Sequence, residues 1–111
     1  MDNAPHAAVD YILKNRTEYA QAKAKRVYLE EFRKSKKAIL MKAAMVQGIE
    51  AVTAQEREAY AHPDYLALLQ GLEAAVAIEE KLKWGMEAAR MRIDIWRTEE
   101  ASNRMVEKNT Q

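Results

Sequence analysis

The residues best suited to do chemistry are cations. Arg16, Lys23, Arg26, Arg33, Lys34 and Lys37 fall within an arc of about 100° when that segment is wound as an α-helix. Six cations on one stripe can track a phosphate backbone, each neutralised phosphate releasing counterions. Tyr19 shares the side, where its ring can stack on an unpaired base. Three of the six are Arg, whose planar fork suits bidentate contact with phosphate. The competing reading is a solvated face offset by Glu18, Glu30, Glu31 and the acidic segment of a neighbour.

Other reactive groups are few. Glu79 shares a helical stripe with Leu72, Leu82 and Met86, so its carboxylate calls for a Lys or Arg across the fold. Neither His6 nor His62 follows a Glu by three residues, which removes the Glu-x-x-His pairs of a di-iron bundle. His62, just before Pro63, reads as a turn or cap residue. Ser35 and Ser102 have no His and Asp arrangement for a triad. Gly48, Gly71 and Gly85 are isolated, so no phosphate-cradling loop forms. With 0 Cys there is no disulfide, thiolate metal site or Cys nucleophile. The expectation is a protein without catalytic residues, cofactor or metal.

The elements that carry these residues follow from composition. The chain has 111 residues, 49% hydrophobic and 32% charged, with only 3 Gly and 2 Pro. Abundant Ala, Glu, Lys, Arg and Leu with few breakers is the composition of long helices. The strongest punctuation is Ala61-His62-Pro63-Asp64. Pro suits a first helical turn, pushes its predecessor out of helical geometry, and Asp64 complements the positive helix end. A first helix over about 7–60, a turn at 61–63, a second helix over about 63–102 and a frayed tail at 103–111 are therefore expected within a single domain. Gly48 is the candidate break in the first helix. Unbroken, the two helices would run roughly 80 Å and roughly 60 Å, too long for a compact chain of this size, whose radius would be roughly 13 Å.

Periodicity adds an association. On the first helix, Tyr28, Phe32, Ser35, Ile39, Ala43 and Val46 share one arc. On the second, Tyr65, Leu68, Leu72, Ala75, Leu82, Met86, Ala89, Ile93 and Trp96 form a stripe. These two faces are expected to pack as an antiparallel hairpin. A second line on the opposite side, Leu66, Ala77, Trp84, Ala88, Met91 and Ile95, is left over, and one partner helix cannot bury both. The expected fold class is all-α, a long antiparallel helical hairpin associating into an oligomeric helical bundle, with Leu66, Trp84, Met91 and Ile95 at the subunit interface.

Net charge is +1, but it is bipolar along the chain: residues 14–42 are strongly basic and residues 43–80 strongly acidic. No run of 18 apolar residues offers a membrane span, and the N-terminus lacks the basic start and apolar core of a secretory signal. A cytoplasmic protein without a membrane partner is expected.

Two stretches carry a resemblance. They are Tyr28-Leu-Glu-Glu-Phe-Arg-Lys-Ser-Lys-Lys-Ala-Ile-Leu-Met41 followed by Tyr60-Ala-His-Pro-Asp-Tyr65, and Glu80-Lys-Leu-Lys-Trp84 followed by Trp96-Arg-Thr-Glu-Glu-Ala-Ser-Asn-Arg104. Together they resemble small helical proteins of tailed phages and prophages, mostly of unassigned function. The layout is also similar to the recombination mediator proteins of T4-type phages, small helical oligomers that bind single-stranded DNA and help load a recombinase. Under that resemblance Tyr19, Lys23, Arg26, Lys34 and Lys37 would match the basic helix and Trp84 the later aromatic. The acidic middle, residues 43–80, has no counterpart there.

Two functions are expected from different classes. One is a phage-type accessory protein of DNA recombination or replication that binds single-stranded DNA without sequence readout, with itself, DNA and a recombinase as partners. The other is a homo-oligomeric protein-interaction module, an adaptor or an inhibitor of a host protein, without nucleic acid.

Overall fold

A computed structural model describes residues 4–110, all helical apart from short connections. Helix α1 spans Ala4–Val46, α2 spans Val52–Ala61 and α3 spans Pro63–Thr110. The chain divides into two compact units: Met1–Ala20 with Glu80–Gln111, and Gln21–Glu79. Among the described residues no helix is long and apolar enough to cross a membrane.

The long first helix expected over 7–60 is two helices, and Gly48 is the reason. Its φ is +104°, a left-handed conformation that a side chain disfavours. The Gly48 N–H donates to the Met45 carbonyl at 3.0 Å and the Ile49 N–H to the Ala44 carbonyl at 3.1 Å. That crossed pair satisfies the last carbonyls of α1 and stops the helix. The buried Gln55 side chain then donates to the Ile49 carbonyl at 2.7 Å, tying the connection to α2.

The second expected turn lies where the sequence placed it. His62 separates α2 from α3, and its carbonyl accepts from the Tyr65 and Leu66 N–H groups. Its Nδ1 accepts from the Asp64 N–H at 3.0 Å. His62 thus caps α3, Pro63 occupies the first helical position, and Asp64 lies in the first turn. α3 continues to Thr110 rather than ending near 102. Lys108, in the last turn, complements the negative end of the helix. Position 111 of the expected tail lies outside the described residues.

In the unit spanning Gln21–Glu79, three helices share a core. Leu40 of α1, Ala59 of α2 and Tyr65 of α3 are buried together, with Met41 and Leu69 packed against them. Ala59 is fully buried, so a larger residue there would separate the helices. Here α1 and α3 run antiparallel: Arg26 meets Glu79 and Lys36 meets Asp64.

In the other unit, two antiparallel helices meet through small residues. Ala8 of α1 and Ala89 of α3 are buried. The Tyr11 hydroxyl lies directly over Gly85, where a Cβ would collide with it. Glycine at that position lets the end of the tyrosine lie against α3.

The expected inward stripe of α3 is the observed one. Tyr65, Ala75 and Ala89 are buried and Leu68, Leu72, Leu82, Met86, Ile93 and Trp96 are half-buried. The inward face of α1 differs from expectation. Tyr28, Ser35, Ile39, Ala43 and Val46 are exposed, and only Phe32 of that arc is half-buried. The covered positions are instead Ala8, Ile12, Asn15, Tyr19, Ala22, Arg26, Leu29, Lys36, Leu40 and Ala44. Most of these alternate at four- and three-residue spacing, as in helices packed along a seam. Arg26 and Lys36 disguise that seam, because their apolar stems pack while their charged heads reach acids on α3.

The turn at Gly48 gives a direct check. Gly48→Ala places a Cβ on a left-handed backbone, and the fold should lose about 1–2 kcal/mol. Urea unfolding followed by circular dichroism measures this. An unchanged midpoint would mean that the connection adopts another conformation without cost.

Candidate nucleic-acid interface

The six cations of the sequence stripe fall into three environments. Arg16, Lys23 and Arg33 are exposed and make no ion pair among the described residues. Lys34 is also exposed but lies 3.3 Å from Glu31 on its own helix. Such a surface pair contributes little and leaves the ammonium available. Arg26 and Lys37 are turned into the fold.

Arg26 meets Glu79 along one edge of its guanidinium. Its Nε donates to Oε1 at 2.5 Å and Nη2 to Oε2 at 3.0 Å. A third contact, Nη1 to Glu30 at 3.2 Å, comes from the same helix. The Glu79 hydrogen bond, partly opposed by desolvation, raises the Arg26 pKa further above its ordinary value. The cation that the Glu79 position calls for is therefore Arg26 itself, and an Arg engaged in this way is not available to a phosphate. This overturns the placement of Arg26 on an open stripe. The cause is geometric: Arg26 occupies a position on the α1 seam, and α3 offers it a buried carboxylate.

Lys37 reaches α2. Its Nζ donates to Glu56 at 3.1 Å and lies 4.8 Å from the centre of the Tyr60 ring. The Tyr60 hydroxyl first, and Glu56 second, raise the Lys37 pKa, so the ammonium keeps its proton well above neutral pH. Tyr19 is half-buried on the α1 seam rather than open for stacking, which corrects its expected position on the exposed basic side.

A different aromatic lies beside the exposed cations. Arg33, Lys34 and Lys37 of α1 line an open cleft of about 440 Å³ with Tyr60 of α2 and Tyr65 of α3. Tyr65 is buried and holds Tyr60 edge-on, the ring centres 5.3 Å apart. Tyr60 is 43% exposed. The cleft thus joins Arg33, Lys34 and Lys37 to a part-exposed ring that Lys37 and Tyr65 contact. Cations beside an exposed aromatic ring are the two features from which single-strand binding sites are built. Sequence reasoning placed Tyr65 on the inward stripe and missed Tyr60. The signal was Tyr60 and Tyr65 flanking His62-Pro63, where two helices turn their ends toward a third.

The expected interface residues are exposed. Leu66 is 47%, Trp84 60%, Met91 53% and Ile95 58% exposed. The Trp84 indole donates to Glu80 at 3.0 Å, so its polar atom is satisfied while its ring faces outward. Among the described residues no three His, Asp or Glu side chains gather to hold a metal ion.

Compared with known proteins, the chain matches no family model, no curated sequence and no solved structure.

The Arg26–Glu79 contact sets an order of stabilities. Arg26→Met should destabilise the fold more than Arg26→Met combined with Glu79→Leu, because the single change deprives a buried carboxylate of its guanidinium. Chemical denaturation of the two variants measures this. A single variant as stable as the double would show that Glu79 does not depend on Arg26.

Proposed function

We propose that this chain binds single-stranded DNA without sequence readout and acts as an accessory protein of phage-type recombination or replication in the host-cell cytoplasm. The observation that carries the reading is the cleft in which Arg33, Lys34 and Lys37 stand beside the exposed Tyr60 ring. Arg33 and Lys34 would hold phosphates, which positions a strand without reading it. Tyr60 would stack on one base, a contact that needs the base unpaired and so favours single strands over duplex. Lys23, exposed on the same helix, would extend the electrostatic contact. The resemblance to recombination mediators supports the biological setting.

A second reading is a protein-interaction module without nucleic acid, an adaptor or an inhibitor of a host protein. The observation favouring it is that Arg26, Lys34 and Lys37 each already hold a carboxylate of this chain, which lowers the charge left for phosphates.

Fluorescence anisotropy with a labelled single strand, beside a duplex control and at two salt concentrations, separates the two. Binding should weaken steeply with salt. Arg33→Glu with Lys34→Glu should flatten the slope of log affinity against log salt by about 0.7 for each phosphate that is no longer neutralised. Tyr60→Leu should lower single-strand affinity by about 1–3 kcal/mol while leaving duplex binding unchanged. No binding at low salt by the folded protein would reject the DNA reading in favour of the protein-interaction module.

A further inference from the structure

In the unit that joins the start of α1 to the later part of α3, α3 carries two opposite apolar lines. One, Leu82, Met86, Ala89, Ile93 and Trp96, faces α1 and is covered or half-covered. The other, Trp84, Ala88, Met91 and Ile95, is exposed. It continues at the same alternation of four and three residues through Thr98 and Ser102 to Met105, which is 66% exposed. That heptad spacing runs about three repeats, with apolar residues at 84, 88, 91, 95 and 105 and the polar Thr98 and Ser102 between them. A helix segment lacking any covering surface is also marginal in water, yet α3 remains helical through residues 101–110, all of them exposed.

We infer that this outer line of α3 is a self-association seam that pairs with the same line of a second copy, parallel and in register. The flanking charges bear on the direction of pairing. Glu80, Glu87 and Asp94 border the seam on one side, and Gly85, Arg92 and Glu99 border it on the other. In a parallel pair the residue on one border faces the residue five positions later on the opposite border of the partner helix. Glu87 then faces Arg92 of the second copy, twice by symmetry. Glu87 holds Arg90 of its own helix through Oε1, which leaves Oε2 for the new contact. The unfavourable facing pair, Asp94 with Glu99, is moderated because Arg97 lies 3.9 Å from Asp94 on the same helix. An antiparallel pair centred on the apolar stretch 84–95 would instead set Glu87 against Asp94 of the second copy, twice by symmetry, and like charges across a seam repel. Trp84 lies one step along the seam from Ala88, so a bulky ring has a small neighbour to pack over, and Trp is a frequent anchor of interfaces.

The seam does not depend on the DNA reading, because none of its residues lines the basic cleft. Sedimentation equilibrium of the full chain should give twice the chain mass of 12.7 kDa. Met91→Glu with Ile95→Glu should halve that mass while far-UV circular dichroism shows the helices retained, since both side chains point outward within one chain. Direction is read from a single cysteine in this cysteine-free sequence. Thr98→Cys, on the seam, should cross-link to a disulfide dimer under mild oxidation, whereas Arg90→Cys, off the seam, should not. A wild-type mass of one chain, a dimer insensitive to the double substitution, or no selective cross-link at position 98 would each overturn the inference.

Discussion

The contact on which much of this molecule depends is the pairing of Arg26 with Glu79. Two long helices could slide past each other by a turn and still bring aliphatic side chains together, because Ala and Leu are interchangeable along a seam. A guanidinium and a carboxylate are not interchangeable with anything nearby. Glu79 is buried on α3, and Arg26 meets it with two hydrogen bonds. In the observed register the two groups satisfy each other, and a slide of one turn would pull Arg26 away from Glu79 at a cost. A polar pair in an otherwise apolar seam acts in this way as a register pin.

Register then decides which cations remain for a ligand. Arg26 on the seam orients the rest of its helix: Arg33 and Lys34 face outward, and Lys37 is directed at α2. The short α2 exists because Gly48 ends α1 and His62 restarts the chain into α3. Without those two turns Tyr60 would continue along a long rod, far from Arg33. The basic–aromatic cleft is thus a product of helix ends as much as of charge. Its ring is held edge-on by the buried Tyr65 and faced by the Lys37 ammonium, contacts that limit its motion.

The two units solve the problem of burying apolar surface differently. Where three helices meet, Leu40, Ala59 and Tyr65 form a small core. Where only two meet, close approach through Ala8, Gly85 and Ala89 leaves large residues such as Trp84 and Ile95 outside. A helix pair covers about one face of each member, so the remaining apolar face is a geometric consequence of the helix count.

The sequence by itself determined the helical class, the turn at His62-Pro63, the inward stripe of α3 and the need of Glu79 for a cation. Each is set by local rules: propensity, proline stereochemistry, capping, or a run of apolar residues at regular spacing. It also marked Gly48 as a candidate break, while the break itself depended on the backbone adopting a positive φ with two crossed hydrogen bonds. Tertiary structure alone decided which face of α1 turns inward. Tyr28 and Ile39 look like core residues and are exposed, whereas Arg26 and Lys36 look like surface residues and sit on the seam. The reason is that a long cation buries its stem according to where an acid waits on another helix, and that acid lies 53 residues away for Arg26. The same holds for Tyr60, whose place beside Arg33 arises from three helices converging and from no spacing within any one of them.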